Sequence, residues 1–215
     1  SDDFLKENIE KYSSKISKII NNIKTSNGII FIYSQFIYAG VLPLALALEM
    51  NGYSKYDGSL LNDKSIETQL KEPKFLIISG DNDVSKDAYA KYLKIENNNQ
   101  NGDIVKIIIG SSTAAEGLDF KYIREVHILE PWHHFNKLEQ VIGRGIRNCS
   151  HKDLKKEFRN GEVYLYAATL PDKQSQDIET IDLKMYRVSE KKMKQISEVE
   201  YLLKINSVDC NLNIE

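Results

Sequence analysis

Residues 28–33 read Gly-Ile-Ile-Phe-Ile-Tyr, an unbroken apolar run rich in β-branched side chains, and Ser34-Gln35 follow at once. A strand that is apolar on both faces belongs in a sheet covered from above and below, which is the situation of parallel sheets. Half-solvated antiparallel strands alternate apolar and polar residues instead. The next segment, Gln35 to Met50, is rich in Ala and Leu and stops at Asn51-Gly52. It reads as a helix in which Pro43 occupies the first turn or makes a kink. Outward from there the alternation returns. Lys74 to Ser79 reads as a strand, Ser85 to Ile95 as a helix, and residues 97–102 (Asn-Asn-Asn-Gln-Asn-Gly) as a polar surface loop. Ile104 to Ile109 makes a third strand, Val126 to Glu130 a fourth, Asn136 to Arg147 a helix and Val163 to Ala167 a fifth strand. Strands alternating with helices predict an α/β fold, an open and mostly parallel sheet flanked by helices.

Two helical segments flank this unit. Leu5, Ile9, Tyr12, Ile16, Ile19, Ile20 and Ile23 recur at steps of three and four, giving an amphipathic helix that Asn27-Gly28 stops. After Pro171 a polar stretch, Asp172 to Asp177, precedes a charged segment with Met193, Ile196, Val199 and Leu203 at helical spacing. The expected organisation is an N-terminal helical arm over 1–26, an α/β domain over 27–171 and a helical extension over 172–215.

The 215 residues carry 29 Lys+Arg against 31 Asp+Glu, a net charge of −2. Sequence-independent binding to a polyanion scales with the phosphates that Lys and Arg neutralise, so any nucleic-acid role must use local groups. The two cysteines, Cys149 and Cys210, fit a reducing, intracellular compartment. The longest apolar run, Ile37 to Leu48, is interrupted by Pro43 and too short to span a bilayer core of about 30 Å. The chain begins Ser1-Asp2-Asp3, without an initiator Met or a targeting segment, and is expected to be a piece of something longer.

Ligands gather at the C-terminal ends of strands in open α/β sheets. Three segments sit there: Ser34-Gln35; Ser111 to Asp119 (Ser-Ser-Thr-Ala-Ala-Glu-Gly-Leu-Asp); and the helix carrying Gln140, Gly143, Arg144 and Arg147. On a helix, Arg144 and Arg147 would project from one face with Gln140 one turn earlier, and Gly143 would leave room for close backbone approach. Two permanently charged, planar guanidiniums aimed together suit a polyphosphate. A bare pair of arginines is more often a solvated, ion-paired face; the combination with the other two segments argues for a site.

Gln140-x-x-Gly143-Arg144-x-x-Arg147 resembles motif VI of the second RecA-like domain of superfamily 2 helicases and translocases. Ser111 to Asp119 stands in the place of their motif V, and Gly28 to Gln35 in that of motif IV. Glu116 to Trp132, the motif VI run continued by Asn-Cys-Ser-His151, and Ser207 to Leu212 look like helicase-type ATPases of large cytoplasmic DNA viruses, relatives of the poxvirus nucleoside triphosphatase and of the early transcription factor's ATPase subunit.

The resemblance implies a RecA-like fold and a set of roles. Arg147 would be the arginine finger on the γ-phosphate of ATP and Arg144 its companion, with Gln140 and Gly143 at the nucleotide and Gly117 and Asp119 lining it, Asp119 toward the ribose. Ser111, helped by Ser112 and Thr113, would hold a phosphate of DNA or RNA, and Ser34 and Gln35 would touch the same strand. Glu116 where many relatives have Arg, and Ser111 where they have Thr, depart from the wider family. No Gly-x-x-x-x-Gly-Lys-Ser/Thr loop and no Asp-Glu strand motif is present. ATP and Mg²⁺ would therefore be bound mainly by an N-terminal RecA-like domain of the same polypeptide, and this chain alone should not turn ATP over. The viral transcription machinery is a further implied partner, and the virion or the host cytoplasm the implied location.

His133, His134, Cys149 and His151 match no common zinc spacing and are expected to be structural. Pro131-Trp132 reads as a core-facing corner, Tyr164 and Tyr166 as sheet packing, and Lys191-Lys192-Met-Lys194 as a solvated helix face. Two other readings stay open: a non-catalytic helicase-like scaffold for viral transcription or capsid-associated partners, docked by its C-terminal helix, and a nucleic-acid-binding module with no motor role. The motor reading fails if Arg144 and Arg147 are tied up in internal ion pairs and turned away from any exposed groove.

Overall fold

The computed structural model describes residues 8–61, 73–112, 118–170 and 178–208. Its six described strands are β1 (Ile29–Tyr33), β2 (Ser54–Lys55), β3 (Lys74–Ile78), β4 (Ile107–Gly110), β5 (Ile123–Ile128) and β6 (Glu162–Leu165). They form one sheet in the order β2-β3-β4-β1-β5-β6, and every pairing is parallel. All five residues of β1 are buried, as its continuous apolar run requires. Ile30 and Ile32 face one half of the core, with Phe75, Ile77, Ile107 and Ile109. Ile29, Phe31 and Tyr33 face the other, with Leu76, Ile108, Val126 and Ile128.

The first half of the core is covered by α2 (Ser14–Thr25) and α3 (Leu42–Met50). Ile16, Ile19, Ile20 and Ile23 of α2 are buried in it, each contributing about 1.5–3 kcal/mol relative to exposure, so α2 is a layer of the α/β unit. The N-terminal helix is not continuous. Ser13 is extended (φ −152°, ψ 98°) and its hydroxyl accepts from the Ile16 N–H, capping α2 and separating it from α1 (Ile9–Tyr12). Leu5 lies outside the described residues.

The helix expected from Gln35 starts later. A π-helical turn spans Ile37–Val41 and passes into α3, whose first turn holds Pro43, where a missing N–H costs nothing. The helix expected over Ser85 to Ile95 is two, α4 (Asn82–Ser85) and α5 (Ala88–Ile95), parted at Asp87 with φ 54°. The polar loop after α5 is not all surface. Asn99 is fully buried, and its amide donates to the Val105 carbonyl (2.8 Å) and accepts from the N–H groups of Ile104 (2.9 Å) and Val105 (3.0 Å). That clamp leads the chain into β4.

α6 (Phe135–Gly145) covers the second half of the core through Leu138 and Val141. The last helix, α7 (Ile181–Ile205), is capped by the Thr180 side chain. It is fixed at its N-terminal half by the Tyr186 hydroxyl on the Tyr166 carbonyl (3.3 Å) and by an ion pair between Lys15 and Asp182. Among the described helices, none is long and apolar enough to cross a membrane.

Candidate functional site

Register decides which side chains share the C-terminal edge. Tyr33 stands beside Gly110 and Ile128, and Ile78 beside Gly110, so the residues that leave the strands next, Ser34, Ser79, Ser111 and Leu129, emerge side by side. The chain order reverses around β1, with β4 on one flank and β5 on the other. Crevices in open α/β sheets form at such reversals.

α6 reaches this edge because Gly145 lets it approach β5: a Cβ there would lie 2.8 Å from a Val126 methyl and 3.1 Å from an Ile123 methyl. At Gly143 an added Cβ would meet nothing within 4 Å, so the backbone there borders open space, and Gln140 is exposed on the same helix. The expectation that Arg144 and Arg147 are two prongs of one helical face needs correction. α6 ends at Gly145, Ile146 is extended (φ −109°, ψ 97°), and Arg147 lies beyond the helix. The guanidiniums are brought together instead by Asp119. Nη1 of Arg147 forms an ion pair with Asp119 Oδ1, and Nη1 of Arg144 lies 3.6 Å from the same oxygen. The side chains of Arg147 and Asp119 are 54% and 59% exposed, that of Arg144 27%.

Asp119 is exposed yet held. The Tyr89 hydroxyl donates to its carbonyl (3.1 Å) and lies 3.3 Å from its N–H, and the next residue's N–H, that of Phe120, donates to the Arg144 carbonyl (3.2 Å). The Phe120 ring is buried against Phe31 (5.1 Å between centroids) and against Tyr89 and Tyr92 (5.9 Å each). Sequence reasoning missed Tyr89 and Phe120. Phe120 adjoins Asp119 and was findable as its anchor; Tyr89 acts across 30 residues and gives no local signal.

The expected strand-contacting residues divide. Ser34 is fully buried, and its hydroxyl bonds Glu130 Oε1 (2.9 Å) and accepts from the Phe36 N–H (3.2 Å). A direct contact from Ser34 to nucleic acid is therefore replaced by a structural role. Gln35 is half-buried and its N–H donates to Glu130 Oε2 (3.1 Å). Burial raises the Glu130 carboxyl, outweighing the Ser34 hydroxyl and Gln35 N–H that favour its charge. Ser111 is also fully buried, and its hydroxyl has no partner among the described residues. Ser112 is half-buried. Thr113 and Gly117 lie outside the described residues.

His151 ties the turn after α6 to β5 through Nε2 on the Ile123 carbonyl (2.7 Å), and Trp132 packs on the second core cluster under the Lys137 ammonium, 4.3 Å from its ring. Tyr164 stacks on His127 with 4.6 Å between centroids. Among the described residues no group of His, Cys, Asp or Glu could hold a metal ion.

Residues 14–149 match the family described as helicase conserved C-terminal domain. The chain is 35% identical over 205 residues to protein R563 of Acanthamoeba polyphaga mimivirus, whose name places it provisionally among ATP-dependent RNA helicases; the match covers 95% of this chain and 34% of that protein. It is 32% identical over 244 aligned positions to the termination factor NPH-I homolog of African swine fever virus (isolate Tick/Malawi/Lil 20-1/1983), covering 96% of this chain and 34% of that protein. The chain thus spans about a third of the length of these relatives. The crystal structure of the C-terminal part of the Fun30 ATPase domain superposes with a TM-score of 0.55 at 15% identity, over 82% of this chain and 45% of that one. That likeness concerns the fold alone.

Proposed function

This chain belongs to the helicase conserved C-terminal domain family, and from that premise we propose that it is the second motor domain of an ATP-dependent nucleic-acid helicase or translocase, one whose ATP site is completed by a first RecA-like domain. The observation that carries the reading is the convergence of Arg144 and Arg147 on Asp119 at an exposed edge. Two guanidiniums meet at one exposed carboxylate, which concentrates permanent positive charge at this edge. The internal ion pair is the arrangement set against the motor reading, but it is not turned inward. An exposed pair is worth about 0–1 kcal/mol, and a triphosphate carries more negative charge than the single carboxylate it would displace.

In this proposal ATP, when bound, supplies a γ-phosphoryl group whose charge redistributes during transfer. Arg147, beyond the helix and more exposed, reaches that phosphate as the finger, and Arg144 supports it from the last turn of α6. Gln140 and Gly143 border the nucleotide, and Asp119 releases the arginines and turns to the ribose. Mg²⁺ is assigned to the other domain, since this sequence carries neither the Gly-x-x-x-x-Gly-Lys-Ser/Thr loop nor the Asp-Glu motif that would hold it. Phosphates of DNA or RNA fall to the end of β4 at the half-buried Ser112, with the fully buried Ser111 beneath it. A place in viral transcription is the role we draw from the one relative called a termination factor.

The test is Arg147→Ala in a polypeptide carrying both motor domains. The turnover rate should fall by about 10³ or more while ATP affinity changes far less; an unchanged rate defeats the assignment.

A further inference from the structure

Resting on that motor reading, we infer that Tyr89 is a positioning residue of the ATP site: its hydroxyl fixes the main chain of Asp119 as a pivot from which the carboxylate passes from the two arginines to the ribose. The side chain of Asp119 is 59% exposed, and a carboxylate that changes partner reaches both only from a backbone that stays still. One atom supplies that restraint. Tyr89 Oη donates to the Asp119 carbonyl (3.1 Å) and accepts from the Asp119 N–H (3.3 Å). Both polar main-chain groups of Asp119 are thus engaged by a single side chain, while the carboxylate is left free to turn.

Tyr89 is itself held on a rigid element. Ala88 and Tyr92, one turn apart on α5, are buried in the second half of the core, and Tyr89 is half-buried beside Ala88. Its ring meets the buried Phe120 ring edge-on, with centroids 5.9 Å apart and an interplanar angle of 88°. Packing of the ring therefore aims the hydroxyl at Asp119.

The segment that follows is tied on two sides. On the α5 side, beyond Tyr89, Glu96 Oε1 accepts from the Lys121 N–H (3.2 Å). On the α6 side the Arg144 carbonyl accepts from the Phe120 N–H (3.2 Å), and the Ser150 carbonyl from the Tyr122 N–H (3.3 Å). Residues 119–122 form a strap between α5 and the arginine-bearing end of α6, and Tyr89 sets where Asp119 stands relative to Arg144 and Arg147. A displacement of about 1 Å far from the reacting atoms can cost about 10² in rate. A hydroxyl that touches neither arginine nor nucleotide therefore still bears on turnover.

The experiment measures kcat/KM for ATP in the polypeptide carrying both motor domains, as a double-mutant cycle of Tyr89→Phe with Asp119→Ala. Tyr89→Phe keeps the ring on Phe120 and removes only the hydroxyl. Alone it should lower kcat/KM by roughly three- to tenfold, the effect of one or two lost hydrogen bonds, with the thermal midpoint unchanged. In the Asp119→Ala background it should change kcat/KM by less than about twofold, because the carboxylate it aims is gone. An equal loss in both backgrounds, whether or not the midpoint falls, means that the hydroxyl serves the fold at large and overturns the pivot. Wild-type kcat/KM in Tyr89→Phe overturns it as well. Both results leave the motor reading standing, since Arg147→Ala tests that reading separately. A two-domain polypeptide that hydrolyses no ATP takes down the motor reading and the pivot together.

Discussion

The carboxylate of Asp119 bridges Arg147, which lies beyond a helix, to Arg144, which lies in its last turn. Removing the bridge tests how the two guanidiniums are organised. Because Asp119 and Arg147 are both more than half exposed, Asp119→Asn should change folding stability by less than about 1 kcal/mol in a denaturant titration. In a polypeptide with both motor domains the same substitution should lower turnover, since the carboxylate that turns to the ribose once ATP takes the arginines is lost. A stability loss of several kcal/mol would mean that the bridge holds the fold and does not serve the site.

Gly143 and Gly145 sit two residues apart on α6 and differ in what surrounds them. Gly145→Ala places a methyl 2.8 Å from Val126, a short β-branched side chain with little freedom to move, and should destabilise by roughly 1–3 kcal/mol. Gly143→Ala enters open space and should stabilise α6 by about 0.5–1 kcal/mol. Thermal melts of the two variants should shift in opposite directions.

These contrasts also mark what was legible in the sequence. The parallel sheet was readable because β1, β3 and β4 are apolar on both faces, a property of consecutive residues. The gathering of Arg144, Arg147 and Asp119 was readable as a list of residues, but not as a geometry, since α6 stops at Gly145 for packing against Val126 and Ile123, which no local pattern announces. Ser34 looked like a ligand contact because it follows a strand. Only the Glu130 carboxylate, 96 positions away, shows that it faces inward.

Asn99 is the strongest case of hidden structure in a polar run. Its amide answers two N–H groups and one carbonyl away from water, so Asn99→Ala should cost roughly 2–4 kcal/mol, while Asn98→Ala, at an exposed position, should cost little. Equal midpoints in a urea titration would show that water replaces the amide.

Two carboxylates, Glu125 buried and Glu130 half-buried, should impose opposite pH dependences. At Glu125 burial acts to raise the carboxyl pKa, but the hydrogen bonds from His127 and Ser26 outweigh it and hold that pKa below the ordinary 4.5. A depressed carboxyl contributes stability that is present above the unfolded value and fades as pH falls through the folded one. Glu125→Gln should therefore weaken the protein at neutral pH, with the gap to wild type closing below about pH 4.5. At Glu130 burial wins and the carboxyl is raised above 4.5. Its contribution is present below 4.5 and lost as pH rises through the higher folded value, because ionisation leaves a charge among Ser34, Gln35 and the sheet edge. Relative to wild type, Glu130→Gln should gain stability as pH rises from 4 toward 7. Denaturant midpoints of both variants across that range should diverge from wild type in opposite senses, and parallel curves would refute the assignment of either group.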